Sequence, residues 1–288
     1  MSTYIETDDL VQFTIEEPAP GYWRIVFSNP PVNLLNSTTV IELDAIVGRI
    51  EAAEDLRVVV FASVHPDFYM AHYDLSDPNP IAFTPTEDGV TLFIDSMLRM
   101  NQADPITIAC IRGRARGGGS EFALACDLRF ASLENTLLGQ PEVGVGIVPA
   151  GGGIERLPDL VGAARALEII ATSDDYDAPT AERYGWINRA IPDRELDNFV
   201  DTLARRLASF DTHALAAAKR LVLARHQSAS VGDYRETLDA LRGLIVSPAT
   251  GARRAAVAAH AATVGQDFEL RMGHHLGVID ATTEGAST

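Results

Sequence analysis

The sequence has few cysteines and no long apolar run, and each scarcity excludes a class of protein. Only Cys110 and Cys126 occur among 288 residues. Two cysteines are too few for a disulfide scaffold, and the sequence contains no CxxC pair of the kind that binds a metal. No run of about 18 uncharged apolar residues is present, so no membrane span is expected. The acidic N-terminus lacks the apolar segment of a signal peptide. We therefore expect a cytoplasmic protein without a bound metal.

Basic residues are also scarce, because 23 lysines and arginines stand against 40 aspartates and glutamates, for a net charge of −17. Such a chain would repel nucleic acid unless its cations were strongly segregated, so no nucleic-acid partner is expected. The apolar fraction of 47% is enough for a sizeable core. The length fits one large domain with an appendage, or two small domains.

Hydrophobic periodicity predicts strands mixed with helices in the first half of the chain, and such alternation is typical of the α/β class. One strand is expected at Tyr22–Phe27, with Trp23, Ile25 and Phe27 on one face. In the helix over 37–54, the expected caps are Ser37 or Thr38. Its apolar stripe consists of Val40, Leu43, Ile46, Val47 and Ile50. The other predicted elements are buried strands over 57–62, 105–111 and 128–131, a helix over 91–101, and a loop over 74–89.

Glycine and proline become sparse beyond about residue 193, where helices are predicted. Their ranges are 193–209, 213–226, 233–245 and 253–263. The second of them carries Leu215, Ala218 and Val222 at helical spacing. The final stretch, 273–288, has no clear period and is expected to fray. We predict a core over residues 1–200 and a C-terminal helical region over 201–288.

Three consecutive glycines, Gly117 to Gly119, follow the predicted strand 105–111 and precede a good helical run that begins at Glu121. A helix start places unpaired N–H groups and a positive dipole end at one point, which suits an anion or a developing oxyanion. The alternative is a tight turn without a ligand. A P-loop is excluded because no GK[ST] follows the glycines.

Two further segments carry candidate functional residues. Glu142 lies in a loop rich in glycine and proline, where a carboxylate is a candidate acid or base. The alternative is an ordinary solvated glutamate. The segment 67–75 follows the predicted strand 57–62, and by itself it indicates only a strand-to-loop connection with an aromatic anchor.

Together the three segments resemble the crotonase (enoyl-CoA hydratase/isomerase) superfamily, whose pattern runs roughly FxAGxDL, VNGxAxGGGxELAxxCD and GxPExxxGxxPGxGGxxRL. The resemblance covers about residues 10–220. The matching residues are Phe68, Ala71, Asp74 and Leu75, then Gly113, Ala115, Gly117, Gly118, Gly119, Glu121, Ala123, Cys126 and Asp127, then Pro141, Glu142, Gly146, Pro149, Gly151, Gly152, Gly153, Arg156 and Leu157.

The resemblance implies an α/β fold built as a spiral of ββα units, with a C-terminal helical trimerisation region. It implies a homotrimer or a dimer of trimers, and coenzyme A as part of the substrate with no other cofactor. By motif position, the backbone N–H groups of Tyr73 and Gly118 would form an oxyanion hole. Glu142 would exchange the proton at the substrate Cα and Glu121 would hold the water. Further expected substrate contacts are Ala71, His72, Asp74, Gly117 and Gly146.

Because both glutamate positions are filled, the resemblance favours an enoyl-CoA hydratase-type lyase acting through a thioester enolate. The alternatives are an enoyl-CoA isomerase, a CoA-independent C–C bond hydrolase acting on a diketone, and a non-catalytic assembly protein. For Glu121 alone, a further reading is an acid in the first helical turn that interacts with the helix dipole.

The sequence departs from the family pattern at three places. His72 replaces a glycine, so either the loop is reshaped or the imidazole joins the pocket. Alternation would put Arg112, Arg114 and Arg116 on one side of a strand. They could bind CoA phosphates or a substrate carboxylate, but internal ion pairing is the expected use in so acidic a chain. The usual basic C-terminal residues for the CoA nucleotide are missing, and the candidates there are Arg253, Arg254 and Arg271.

Overall fold

Two β-sheets lie within the part of the chain that the computed structural model describes, residues 3–4, 10–79, 84–225 and 229–279. The strands are β1 (Thr3–Tyr4), β2 (Phe13–Ala19), β3 (Tyr22–Phe27), β4 (Val58–Ser63), β5 (Phe68–Met70), β6 (Ile106–Ile111), β7 (Arg114–Arg116), β8 (Leu128–Ser132), β9 (Leu137–Gly139), β10 (Asp175–Asp177) and β11 (Arg189–Ile191). The larger sheet has the order β1-β2-β3-β4-β6-β8-β11, and the smaller one has the order β10-β9-β7-β5.

Helices connect and cover these sheets. They are α1 (Ser37–Ala52), α2 (Leu92–Gln102), α3 (Gly118–Ala125), α4 (Gly153–Val161), α5 (Ala163–Thr172), α6 (Ala178–Tyr184), α7 (Asp193–Ala208), α8 (Thr212–Leu223), α9 (Val231–Ile245), α10 (Pro248–Val264), α11 (Gln266–Leu270) and α12 (Met272–Val278). A short 3-10 turn spans Val143–Val145. In the described residues, no helix has the length and apolarity that crossing a bilayer would require.

The chain winds repeatedly through both sheets. In the pairs β4/β5, β6/β7 and β8/β9, the first strand joins the larger sheet and the second joins the smaller one. After β5 and β7 the next helix returns the chain to the larger sheet, whereas after β9 the helices α4 and α5 lead to β10 of the smaller sheet. From β4 to β9 the strands within each sheet run parallel. This is the expected spiral of ββα units, so the predicted fold class is confirmed. Because β5, β7 and β9 run parallel, the loops that follow them lie at the same end of the smaller sheet.

The first elements follow the predicted pattern, with one different cap. Strand β3 spans the predicted residues, and the five stripe residues of α1 are all buried. The expectation that Ser37 or Thr38 caps α1 is wrong. Asn36 is the cap, because its side chain accepts a hydrogen bond from the Thr39 amide while the Thr39 hydroxyl accepts one from the Asn36 amide.

One prediction for the C-terminal half is also wrong. Residues 273–278, expected to fray, belong to α12, because Met272 and Leu276 pack against Phe268 and Val257. Residues 280–288 of that stretch lie outside the described residues.

The apolar stripe of α8 does not pack into the core. It faces a second cavity of about 450 Å³, and Val222 is 68% exposed. The residue that α8 buries is Lys219, whose ammonium pairs with Asp127 at 2.8 Å. Helix α7 spans residue 200, and the division at that residue stays a prediction.

Candidate active site

A cavity of about 250 Å³ opens where the ββα loops meet the C-terminal helices. One wall comes from the segment after β5, the start of α3 and the loop after β9. The opposite wall comes from α9 to α12. The lining residues are His72, Tyr73, Leu75, Thr91, Phe93, Gly118, Glu121, Pro141, Glu142, Val145, Ile147, Val148, Ala150, Gly151, Leu238, Leu241, Val257, Phe268 and Met272. Five of the residues singled out from the sequence, His72, Tyr73, Gly118, Glu121 and Glu142, therefore share one cavity.

The triple glycine forms the sharp entry into α3. Gly117 has φ +47°, a conformation that disfavours side chains. A Cβ on Gly119 would collide with the Met70 carbonyl of the neighbouring strand β5. Helix α3 therefore begins at Gly118, and the first four N–H groups of a helix have no acceptor within it. The expected strand–glycine–helix arrangement is present, although the short strand β7 separates β6 from the glycines.

The amide nitrogen of Tyr73 lies beside this helix start. A Cβ built on Gly118 would be 3.8 Å from it. Leu35 pairs with this segment as a parallel bridge, donating its N–H to the His72 carbonyl and accepting from the Asp74 N–H. Because backbone groups alternate along an extended chain, the N–H of Tyr73 points to the side opposite Leu35.

Glu121 projects from the first turn of α3 towards another helix. Its Oε1 accepts hydrogen bonds from the amides of Gly151 at 2.7 Å and Gly153 at 3.0 Å. Gly153 is the first residue of α4, so the carboxylate sits at a helix N-terminus, where N–H groups and the dipole favour negative charge. Glu121 lies in the first turn of α3 and also interacts with the N-terminus of α4.

Glu142 has the opposite surroundings, although it lines the same cavity. It precedes the 3-10 turn and lies over Gly117, where a built Cβ would be 2.5 Å from its Oε1. Its Oε2 is buried and has no hydrogen-bond partner among the described residues. A buried carboxyl group without donors favours the neutral form. The reading of Glu142 as an ordinary solvated glutamate is wrong, since the residue is only 9% exposed.

The two carboxyl groups interact electrostatically. Burial raises the pKa of Glu121 to about 7, although the amides of Gly153 and Gly151 oppose the shift. Burial, together with repulsion from Glu121, raises the pKa of Glu142 well above its ordinary value. Two glycine amides donate to Glu121, whereas the buried Oε2 of Glu142 has no partner among the described residues, so the pair holds its first negative charge on Glu121 and its remaining proton on Glu142.

His72 contributes its side chain to the cavity wall. Its φ is not positive, so the backbone at this position does not require glycine. The ring Nδ1 lies 2.9 Å from the Tyr73 carbonyl, and Nε2 lies 3.0 Å from Oε2 of Glu269. Of the two expected consequences of this substitution, the structure confirms that the imidazole joins the pocket.

The four other expected substrate contacts do not line the cavity. Ala71 is fully buried, with its amide bonded to the Asn33 carbonyl and its carbonyl to the Arg116 amide. The Asp74 carboxylate accepts bonds from the Ser76 amide and hydroxyl. Gly117 and Gly146 both have positive φ and shape the turns behind the wall. Direct contact between these four residues and a substrate stays a prediction.

Internal pairing of the three arginines is confirmed, but they do not act together. Arg112 lies before β7 and pairs with Asp193 and Asp197 of α7. Arg116, 1% exposed, forms a bidentate pair with Asp175 at 2.6 and 2.8 Å. Arg114 lies 3.8 Å from the Asp67 carboxylate. The expectation that one side of a strand carries all three is wrong, because Arg112 precedes the strand and faces α7.

The C-terminal wall was missed by the sequence reading. Its residues are Leu238, Leu241, Val257, Phe268 and Met272. The i, i+3 spacing of the two leucines on α9 indicated a buried face, but no motif indicated what that face covers. Among the C-terminal arginines, Arg253 donates to the carbonyls of Gly144, Leu276 and Ile279, so its guanidinium fastens α12 to the turn after Glu142.

Comparisons with known proteins agree with this geometry. A family model described as enoyl-CoA hydratase/isomerase matches residues 20–241. The short-chain-enoyl-CoA hydratase of Clostridium acetobutylicum is 32% identical over 204 residues, which cover 70% of this chain and 78% of that protein. The crotonyl-CoA hydratase of Syntrophomonas wolfei is 29% identical over 197 residues, 68% of this chain and 75% of that protein.

Among solved structures, a crystal structure from Streptomyces avermitilis, assigned as an enoyl-CoA hydratase, superposes with a TM-score of 0.88 at 36% identity. The match covers 96% of this chain and all of the other. The family model spans well over half of the sequence, and the fold and the two glycine-rich segments agree with it. The chain therefore belongs to the enoyl-CoA hydratase/isomerase family, in the crotonase superfamily.

Proposed function

We propose that this protein is an enzyme that hydrates the double bond of a 2-enoyl-CoA thioester, or runs the reverse dehydration. One observation carries the proposal. Two buried carboxyl groups with opposite surroundings, Glu121 and Glu142, line the same cavity as the amides of Tyr73 and Gly118. The names of the relatives, short-chain-enoyl-CoA and crotonyl-CoA hydratase, support the same reaction.

In the proposed reaction, the thioester oxygen lies between the amides of Tyr73 and Gly118. The oxygen of a water molecule held by the Glu121 carboxylate bonds to Cβ, and Glu121 takes the proton that the water loses. The π electrons move towards the thioester, so negative charge develops on its oxygen, where the two amides stabilise it. Protonated Glu142 then delivers its proton to Cα, and the sum is the addition of H and OH across the double bond.

The division of labour follows from the surroundings of the two acids. A base must be ionised before the reaction, and the amides of Gly151 and Gly153 favour the ionised form of Glu121. An acid must hold a proton, and the burial of Glu142, whose Oε2 has no partner among the described residues, favours its neutral form. Two carboxyl groups with separated pKa values can thus act as base and acid at one pH.

Other attributes belong to the same proposal. The largely apolar lining of the cavity suits the acyl part of a thioester. Coenzyme A would enter only as part of the substrate. We also propose a homotrimer or dimer of trimers in the cytoplasm, with the C-terminal helices contributing to assembly.

The decisive experiment follows the absorbance of crotonyl-CoA, which falls when the conjugated double bond is hydrated. We expect turnover by the wild type and loss of turnover in the Glu121→Gln/Glu142→Gln variant. A hydrolase for diketones would not turn over crotonyl-CoA or bind CoA-agarose. An isomerase would convert a 3-enoyl-CoA without adding water. Full activity in the double variant would contradict the catalytic assignment of both acids.

A further inference from the structure

The short segment Glu269–Leu270 at the end of α11 forms hydrogen bonds beside both proposed oxyanion donors, the amides of Tyr73 and Gly118. On one side, the Glu269 carboxylate meets the ring of His72, the residue before Tyr73. On the other side, Arg116, two residues before Gly118, donates to the Glu269 carbonyl at 2.7 Å. The amides of Tyr73 and Gly118 are 45 residues apart in the chain, and Glu269–Leu270 contacts a residue close to each of them.

The ring of His72 contacts an oxygen atom on each side. Its Nδ1 lies 2.9 Å from the Tyr73 carbonyl oxygen, and its Nε2 lies 3.0 Å from Oε2 of Glu269. Both of these oxygens are hydrogen-bond acceptors. Burial would raise the pKa of Glu269, but its hydrogen bond and charge attraction with His72 lower the pKa below its ordinary value. The His72 ring thereby ties the Tyr73 backbone to α11.

The arginine side is equally well fixed. Arg116 is held in both directions, by the bidentate Asp175 carboxylate and by the carbonyls of Glu269 and Leu270. Arg114 adds a bond from Nε to the Leu270 carbonyl at 2.9 Å. The Arg116 amide also donates to the Ala71 carbonyl, next to His72. The two segments and α11 therefore form a closed set of hydrogen bonds around the base of the cavity.

We propose that Glu269 is a positioning residue, which sets the distance and direction of the Tyr73 amide relative to the Gly118 amide through His72. The inference rests on the proposed function, because it assigns a role within the same reaction. Glu269 lies between Phe268 and Met272, which line the cavity. The same contact thus couples closure of the apolar wall to alignment of the oxyanion donors. Donors must be aimed at the developing charge to be effective.

The test uses a spectroscopic signature of the oxyanion hole. Cinnamoyl-CoA has a conjugated carbonyl whose absorption moves to longer wavelength when hydrogen-bond donors polarise its oxygen. We would measure that shift at saturating ligand for the wild type, Glu269→Ala, Glu269→Gln and His72→Ala. The kcat and KM for crotonyl-CoA would be measured in parallel. Arg242→Ala is the matched control, because it removes a solvent-exposed ion pair with Asp239 on α9.

We expect Glu269→Ala and His72→Ala to lose most of the shift, with kcat lower by about 10-fold to 100-fold, since a misplacement of about 1 Å has that effect. Glu269→Gln, which keeps an acceptor oxygen, should recover part of both. A Glu269→Ala/His72→Ala double variant should lose little more of the shift and of kcat than either single variant, because the two residues act as one unit. Arg242→Ala should match the wild type.

The outcomes separate the two proposals. A wild type that neither hydrates crotonyl-CoA nor shifts cinnamoyl-CoA overturns the proposed function and the inference with it. A wild type that does both, with an unchanged shift and kcat in Glu269→Ala and His72→Ala, overturns the inference alone. If Glu269→Ala does not fold, Glu269→Gln and His72→Ala decide by the same criteria. A role that is merely structural would lower the melting temperature without changing the absorption of bound ligand.

Discussion

The two walls of the cavity differ in almost every respect. The wall from the ββα loops presents backbone amides and two carboxyl groups, Glu121 and Glu142, and it is built on tight glycine turns. The wall from α9 to α12 presents leucine, valine, phenylalanine and methionine side chains. The carboxyl groups and the amides therefore lie on the spiral, while the C-terminal helices supply an apolar surface.

This contrast indicates how the site divides its tasks. Groups that handle charge need fixed geometry, because donors and carboxylates act only at short range and in defined directions. A surface that accommodates an acyl chain needs only shape and apolarity. Changes in the first wall should therefore affect kcat, and changes in the second should affect the choice of substrate.

The largest expected effect comes from Glu142→Gln in the reactive wall. Glutamine has the shape of the protonated acid but cannot give up its proton to Cα, so kcat should fall by about 10²-fold to 10⁴-fold. Steady-state hydration of crotonyl-CoA measures the effect. Glu182→Gln on α6, an exposed position, is the control. A fall of less than threefold would exclude Glu142 as the acid.

A comparable effect is expected when the Gly118 amide is removed. Gly118→Pro deletes the N–H at the first position of α3, where proline is well tolerated in helices. Gly118→Ala adds a similar Cβ and keeps the N–H, so it is the matched control. We expect kcat of the proline variant to lie about 10²-fold to 10³-fold below that of the alanine variant. Equal kcat values would show that this amide does not stabilise the oxyanion.

A smaller effect should arise in the apolar wall. Phe268→Ala enlarges the cavity without touching a carboxyl group, so the ratio of kcat/KM for 2-octenoyl-CoA to that for crotonyl-CoA should rise about 10-fold. Val278→Ala on α12, 55% exposed, should leave the ratio unchanged. If instead Phe268→Ala lowered kcat equally for both substrates, the proposed division between the walls would be wrong.

The smallest effect on turnover is the pH dependence from Glu121, whose pKa burial raises to about 7. The water-holding carboxylate must be ionised, so kcat/KM at pH 7 should be roughly half its value at pH 8 and should fall further in acid. A pH profile from 5 to 9 measures this, and a profile flat through pH 7 would contradict the role.

The same group also affects stability. The Glu121 carboxyl group holds its proton more tightly in the folded state than in the unfolded state. Its contribution to the free energy of unfolding is therefore full below pH 4.5 and is lost as the pH rises through 7. Glu121→Gln should not show this loss. Between acid pH and pH 8, the wild type should lose up to about 3 kcal/mol more of its free energy of unfolding than Glu121→Gln loses. This figure follows from about 1.4 kcal/mol for each pKa unit of the shift. Urea unfolding at pH 5 and pH 8 measures it.

Much of the fold followed from local pattern. The stripe of α1 and the strand Tyr22–Phe27 were readable because their apolar residues recur at the period of one element and face one core. Helix α12 was not readable, since its seven residues become helical only by packing on Phe268 and Val257. The exposed stripe of α8 shows the converse, because helical spacing alone cannot say whether a partner surface exists.

The site shows the same division. The sequence by itself determined the strand–glycine–helix turn and the presence of two acids, because glycine conformation and helix starts are local properties. Only the tertiary structure decided that Glu121 meets the N-terminus of α4 while Oε2 of Glu142 is buried without a partner among the described residues, and that Glu269 reaches His72 across 197 residues. Charge state and alignment depend on neighbours that are distant in the chain, and no local pattern encodes which neighbours those are.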